Sequence, residues 1–296
     1  LSHTNPSKSH PSNASGSVPE AFSPHSIGVF DSGVGGLTVL RQLYRHLPQE
    51  SYLYFGDTAR LPYGTRSEAE ILQFVREILH WMQSQGAKMV LMACNTSSAL
   101  ALETVRSEFP LPVLGVILPG ARAAVQTGRR IGVIATPATA ASGAYGRAIA
   151  EIDPTAQVWQ VGCPEFVPLI EQNQIHTPVM EQVARDYLAP LIDRQIDTLV
   201  YGCTHYPHLE PVLRKILPST VRLVDPAVSM VAAAEQELDA LGLRWEQSGA
   251  VTKHPTRFCV SGEPQQFATL SAQWLGQRPS VECVNVADSV LRTSAS

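Results

Sequence analysis

Lysine is scarce in this sequence. Lys8, Lys88, Lys215 and Lys253 are its four lysines among 296 residues, and the formal net charge is −4. No Lys/Arg run or basic stripe is present, so the electrostatic footprint of a nucleic-acid-binding protein is missing. Long apolar runs are lacking too: none approaches the roughly 18 residues of a membrane span. Residues 1–25 carry neither the basic start nor the apolar core of a secretory signal. The five cysteines, at positions 94, 163, 203, 259 and 283, are odd in number and widely spaced, unlike a disulfide framework. A reducing cytoplasm is the expected setting, and it keeps thiols free. Neither nucleic acid nor a membrane is expected as a partner.

What is present describes an ordinary globular protein, 44% hydrophobic and 16% charged. A chain of this length accommodates two α/β lobes. Residues 1–25, rich in Ser, Pro, Asn and His, cannot offset the entropy of their own ordering and read as a disordered tail. Asn13-Ala14-Ser15 fits a glycosylation sequon, which without an export signal is a chance match. The last dozen or so residues read as a second frayed end.

Between the tails, strand-like runs alternate with helical patterns. Runs at Ile27–Phe30, Tyr52–Phe55, Met89–Ala93, Val113–Ile117, Ile131–Ala135, Val158–Val161, Thr198–Gly202, Val221–Val224 and Arg257–Val260 read as buried strands. An amphipathic segment spans Leu37–Leu47, and a helix runs from Ser67, as N-cap, to Gln85, with Gly86 as its stop. Strands separated by helices imply βαβ units and mainly parallel sheets.

Two of these runs end alike, in Cys94-Asn95-Thr96 and in Cys203-Thr204-His205. In open α/β sheets ligand chemistry sits past the carboxyl ends of the strands. Four small polar residues after Cys94 would make a poor core but a good helix N-cap and substrate turn, and a helix N-terminus lowers a thiol pKa. Cys203, His205 and His208 allow three readings: metal ligands lacking a fourth partner, ordinary core, or a thiol assisted by an imidazole. The third is preferred because the tip recurs at Cys94. Asp31-Ser32-Gly33-Val34-Gly35-Gly36 is a strand-to-helix turn whose exposed N–H groups suit a carboxylate or phosphate. It is neither a Rossmann fingerprint nor a P-loop. Thr136-Pro137-Ala138-Thr139 reads by itself as a plain loop. Cys163-Pro164, Cys259 and Cys283 have no polar company and read as structural.

Taken together, Val29-Phe30-Asp31-Ser32-Gly33-Val34-Gly35-Gly36-Leu37, Gly56-Asp57-Thr58-Ala59 with Pro62-Tyr63-Gly64, Ala93-Cys94-Asn95-Thr96, Thr136 to Thr139 and Gly202-Cys203-Thr204-His205-Tyr206-Pro207 resemble the glutamate racemases of the aspartate/glutamate racemase superfamily. The likeness is ordered along the chain from Ile27 to about Gly262. It implies an α/β fold of two similar lobes with the active site in the cleft between them. The first lobe would hold 26–117 and 226–277, the second 118–225, with 278–296 as a C-terminal extension. It implies interconversion of L- and D-glutamate for peptidoglycan, a homodimer, and no cofactor or metal.

Carried over by motif, Cys94 and Cys203 resemble the two catalytic acid/bases, with Asp31 beside Cys94 and His205 beside Cys203 as assistants. Asp31, Ser32, Pro62, Tyr63, Gly64, Asn95, Thr96, Thr136, Thr139, Thr204 and His205 fall where the family holds substrate, and Glu171 resembles a further acidic residue near the site. Ala135 and Ala138 stand where many members have glycine in a Gly-Thr-x-Gly-Thr turn, which touches contact geometry rather than activity. An aspartate or hydantoin racemase, or a related decarboxylase, is the nearest alternative, although a decarboxylase needs only one of the thiols. A non-catalytic amino-acid-binding protein and a zinc module are the readings from other classes. Two thiols on facing lobes suit inversion of a stereocentre, since one base removes the α-proton and the other delivers a proton to the opposite face.

Overall fold

In the computed structural model, which describes residues 25–245 and 256–287, each apolar run named above forms a strand. The first half of the chain contains β1 (Ile27–Asp31), α1 (Leu37–His46), β2 (Tyr52–Gly56), α2 (Glu68–Ser84), β3 (Met89–Met92), α3 (Asn95–Val105), β4 (Val113–Gly115), α4 (Ile117–Thr127), β5 (Arg130–Ala135), α5 (Pro137–Ser142) and α6 (Ala144–Ile152). The second half continues with β6 (Gln157–Gly162), α7 (Phe166–Glu171), α8 (Pro178–Asp193), β7 (Thr198–Gly202), α9 (Glu210–Ile216), β8 (Arg222–Val224), α10 (Pro226–Ala240), β9 (Thr256–Val260), α11 (Pro264–Leu275) and β10 (Val281–Cys283). The expected tail at 1–24, with its sequon, and residues 288–296 lie outside the described residues.

The strands form two sheets, ordered β10-β9-β2-β1-β3-β4 and β6-β5-β7-β8, and every neighbouring pair is parallel. Parallel strands are covered on both faces and therefore read as unbroken apolar runs. β1, β2, β3 and β7 are buried along their whole length. One face of the first sheet packs Phe30, Phe55, Val90 and Met92 against Ile71, Val75, Ile78 and Met82 of α2. The other face, with Val29 and Leu91, shares a continuous core with Val133, Leu199 and Val200 of the second sheet. α10 packs against both α1 and α4 and so ties the two layers together.

Local signals account for the helix ends. Ser67 forms a capping box with Glu70: Ser67 Oγ accepts from the Glu70 N–H, and Glu70 Oε2 accepts from the Ser67 N–H at 3.0 Å. Gly86 follows α2 at a φ of 80°, the left-handed conformation that glycine adopts without strain. Two boundaries differ from the sequence reading. The run expected to continue to Ile117 leaves the sheet after Gly115, because the Val116 N–H is taken by Ser98 Oγ at 3.4 Å and Ile117 begins α4. β10, within the expected C-terminal extension, hydrogen-bonds as an edge strand to β9.

Register carries the fold to the site. Phe30 pairs with Met92, so Asp31 lies level with Ala93 and next to Cys94. In the second sheet Ala135 pairs with both Gly162 and Gly202, so Thr136, Cys163 and Cys203 emerge side by side at the carboxyl ends of three strands.

Candidate active site

The strand tips of both sheets face a cavity of about 870 Å³. Ser32, Pro62, Tyr63, Gly64, Cys94, Asn95 and Thr96 line it from the first sheet's side, and Thr136, Cys163, Cys203, Thr204 and His205 from the second's. α7 adds Val167, Pro168 and Glu171, and α11 adds Gln265, Gln266, Thr269 and Leu270. The two thiols thus open into one space from opposite sheets, Cys94 at 5% and Cys203 at 6% exposure. Asp31 and Thr139, expected to touch substrate, are fully buried behind the wall and do not line it.

The thiols have different electrostatic surroundings. Cys94 is the N-cap of α3, where the helix N-terminus was expected to lower its pKa. Burial instead pushes the thiol up to about 12, reinforced by the negative charge of Asp31; the N–H groups of Ser97 and Thr96 oppose this without overcoming it. Cys203 Sγ lies 3.6 Å from His205 Nδ1, and His205 Nε2 lies 3.1 Å from Glu171 Oε1. Burial works against a charge on His205, but Cys203 and Glu171 together outweigh it and hold the imidazole protonated well above its usual value. Cys94 is therefore kept as a neutral thiol, whereas Cys203 faces an imidazolium. His208 belongs to a different environment. It packs against Trp274 with ring centroids 4.0 Å apart, and burial lowers its pKa to about 4.

Asp31 lies close enough to Cys94 for its charge to raise the thiol pKa but makes no hydrogen bond to it. Its carboxylate accepts from the Gly33 N–H at 3.0 Å and from Thr204 Oγ1 at 3.3 Å, which links β1 to the opposite tip. The glycine turn holds a carboxylate of the chain itself, with the Gly33 and Gly36 N–H groups directed to Asp31. The Leu37 and Thr38 N–H groups bond within the turn, to Val34 and Gly35 carbonyls. A Cβ on Gly35 would stand 2.2 Å from Thr204 Oγ1 and 2.6 Å from the His205 ring, so its absence lets the two tips meet. Gly64 is similar: a Cβ there would stand 2.9 Å from Thr136 Cβ.

Hydroxyl groups close the rest of the wall. Thr96, Thr136 and Thr139 form a triangle with Oγ1 separations of 3.0, 3.2 and 2.9 Å, joining α3 to the turn after β5. Thr136 is also the N-cap of α5. Tyr63 is anchored by a hydrogen bond from its hydroxyl to Asp57. Among the described residues no Lys or Arg lines the cavity, so an anionic ligand meets amide, hydroxyl and backbone donors together with His205.

The family model for Asp/Glu/Hydantoin racemase matches residues 27–234. The chain belongs to this racemase family. It is 70% identical over 258 residues to the glutamate racemase of Gloeothece citriformis, covering 87% of this chain and 91% of that one. Glutamate racemase isoform RacE1 from Bacillus anthracis superposes with a TM-score of 0.84 at 37% identity, covering 88% of this chain and 97% of that one. The Francisella tularensis glutamate racemase, solved in complex with D-glutamate, gives 0.83 at 35% identity, with 90% and 99% covered. This racemase-family chain is accordingly an isomerase acting on amino acids.

Several residues on the wall or directly behind it carry little or no local signal in the sequence. Cys163, taken as structural, lies in the row of Thr136 and Cys203 and lines the cavity, with its thiol directed to the Val161 carbonyl at 3.5 Å. Its position after an apolar run was the available signal. α11 contributes from far along the chain, and no local pattern in Gln265-Gln266 marks it as cavity lining. Tyr145, whose hydroxyl donates to Asn95 Oδ1 at 2.7 Å, sits on the buried face of α6 and looks like core in the sequence.

Proposed function

We propose that the chain interconverts L- and D-glutamate, with Cys94 and Cys203 acting on opposite faces of the α-carbon. The observation that carries this is the pair of thiols opening into one cavity from two sheets, one held neutral and the other beside an imidazolium. In one direction the Cys203 thiolate, balanced by His205, removes the α-proton as the Cys94 thiol gives its proton to the opposite face. The products are a Cys203 thiol, a Cys94 thiolate and the inverted amino acid. The reverse reaction exchanges the roles, and the substrate ammonium then supplies the positive charge that a Cys94 thiolate near Asp31 needs.

The α-proton is far less acidic than a thiol, so binding must favour the carbanion. Exclusion of water and donors fixed at the carboxylate do this where negative charge builds. Asn95, Thr96, Thr136, Ser32 and the backbone N–H of Thr204, whose hydroxyl donates to Asp31, are the wall groups suited to the task, with Pro62, Tyr63 and Gly64 completing the wall. Glutamate as the substrate is supported by the names of the relatives at up to 70% identity and by the D-glutamate complex of the Francisella protein. On this reading the product is D-glutamate for peptidoglycan, made in the cytoplasm by a homodimer that uses no cofactor or metal.

The test is circular dichroism of L-glutamate incubated with the protein in D₂O. Racemisation with deuterium at Cα of the newly formed enantiomer is expected, and Cys94→Ala or Cys203→Ala should abolish it, since each removes one proton carrier. Full turnover in either variant would overturn the two-thiol scheme. Turnover of aspartate alone would overturn the substrate.

A further inference from the structure

We infer that Tyr145 is a positioning residue: it fixes the side-chain amide of Asn95 so that the NH₂ group, and not the carbonyl, faces substrate. A carboxamide offers an acceptor at one end and two donors at the other, and turning it over exchanges them. The Tyr145 hydroxyl occupies the acceptor end, donating to Oδ1 at 2.7 Å. Asn95 lines the cavity, and its Nδ2 makes no hydrogen bond among the described residues. The donor end is therefore the one offered to a ligand.

The orientation has consequences because the cavity wall is poor in cations. With no Lys or Arg among the described lining residues, each neutral donor carries a large share of carboxylate recognition. A reversed amide would place a carbonyl against the anion.

Tyr145 is built for this task. It is fully buried, and burial keeps its phenol protonated, so a proton is always available to donate. Its ring is held where α4 approaches α10: a Cβ on Gly120 would lie 3.2 Å from Tyr145 Cε1 and 2.9 Å from Pro226 Cβ. The bond also spans the layers, because Asn95 follows β3 of the first sheet and Tyr145 lies on α6 between strands of the second. The amide is thus set by the opposite layer and not by its own helix.

This inference rests on the racemase reading, and wild-type turnover of L-glutamate tests that reading separately. The coupling between residues 145 and 95 can be measured on whichever amino acid the enzyme racemises. Tyr145→Phe keeps the ring and should raise KM about 3- to 10-fold, the worth of one hydrogen bond, with a smaller change in kcat. In the Asn95→Ala background the same substitution should leave KM within about twofold of Asn95→Ala alone. Asn95→Asp, read whether or not the Phe variant folds, keeps the bond to Tyr145 but presents an acceptor to substrate, and should raise KM above that of Asn95→Ala. An unchanged KM in Tyr145→Phe, multiplied effects in the double variant, or a KM for Asn95→Asp at or below that of Asn95→Ala would each overturn the assignment.

Discussion

The Thr204 hydroxyl donates to Asp31 Oδ1 at 3.3 Å, joining the residue after Cys203 to the carboxylate that ends β1. Asp31 is wholly buried, and burial raises its pKa against the opposing effects of His205 and the N–H groups of Gly33 and Gly36. Thr204→Val removes a donor from the buried carboxylate and should cost about 1–3 kcal/mol of stability. The sign of the pH dependence follows from linkage. A carboxyl whose pKa is higher folded than unfolded contributes stability at low pH and loses it as pH rises through the folded value. The variant lacks a bond that favours the anion, so denaturant titrations should show a larger loss near pH 8 than near pH 4. Equal losses at both would show that Asp31 is not the group affected.

The unequal surroundings of the two thiols predict an order of alkylation. With burial and Asp31 holding Cys94 well above the usual thiol range, very little of it is thiolate near pH 8. Cys203 has the His205 ring 3.6 Å away as a counter-charge. Iodoacetamide should therefore modify Cys203 well before Cys94, with the exposed Cys283 as an internal reference. Peptide mass spectrometry over time reads the order, and earlier labelling of Cys94 would contradict the assignment of charges.

Cys203 on one side and Glu171 on the other hold His205 protonated against its burial. Glu171→Gln removes the negative charge of the carboxylate while keeping an acceptor, so the imidazolium loses its proton at lower pH. The alkaline limb of kcat/KM for racemisation should move down by roughly one pH unit. A limb that stays in place would mean that His205 does not set it.

Two glycines of one turn should respond in opposite ways. The Gly35 position meets Thr204 and His205 at 2.2 and 2.6 Å, whereas the nearest neighbour at Gly33 is Leu61 Cδ1 at 3.5 Å, an ordinary contact. Gly35→Ala should cost about 1–3 kcal/mol from overpacking and reduce turnover at least tenfold as the tips are forced apart. Gly33→Ala should leave both melting temperature and turnover close to wild type. Similar behaviour of the pair in thermal melts and assays would refute the close-approach account.

Much of the architecture was legible because parallel strands, covered on both faces, leave an unbroken apolar signature, as at Met89–Met92 and Thr198–Gly202. The α2 boundaries were legible for an equally local reason, the Ser67–Glu70 box and Gly86. Where a run left the sheet was less visible. Val116 is as apolar as its neighbours, and the Ser98 hydroxyl that takes its N–H lies on a different element.

At the site, the local order of residues sets which chemistry is displayed. Cys94, Asn95, Thr96, Cys203, Thr204 and His205 follow buried runs, and residues after a parallel strand emerge at its carboxyl end whatever the rest of the chain does. What those groups experience is set by the packing of distant segments around them. The local rule lowers the pKa of a thiol at a helix N-terminus, yet Cys94 is pushed up, because burial depends on everything packed around it. The same holds for the hydrogen bond of Asp31 to Thr204, for Cys163 on the cavity wall, and for Tyr145 against Asn95. Each depends on distances between segments far apart in the chain, which register and packing set and no local pattern encodes.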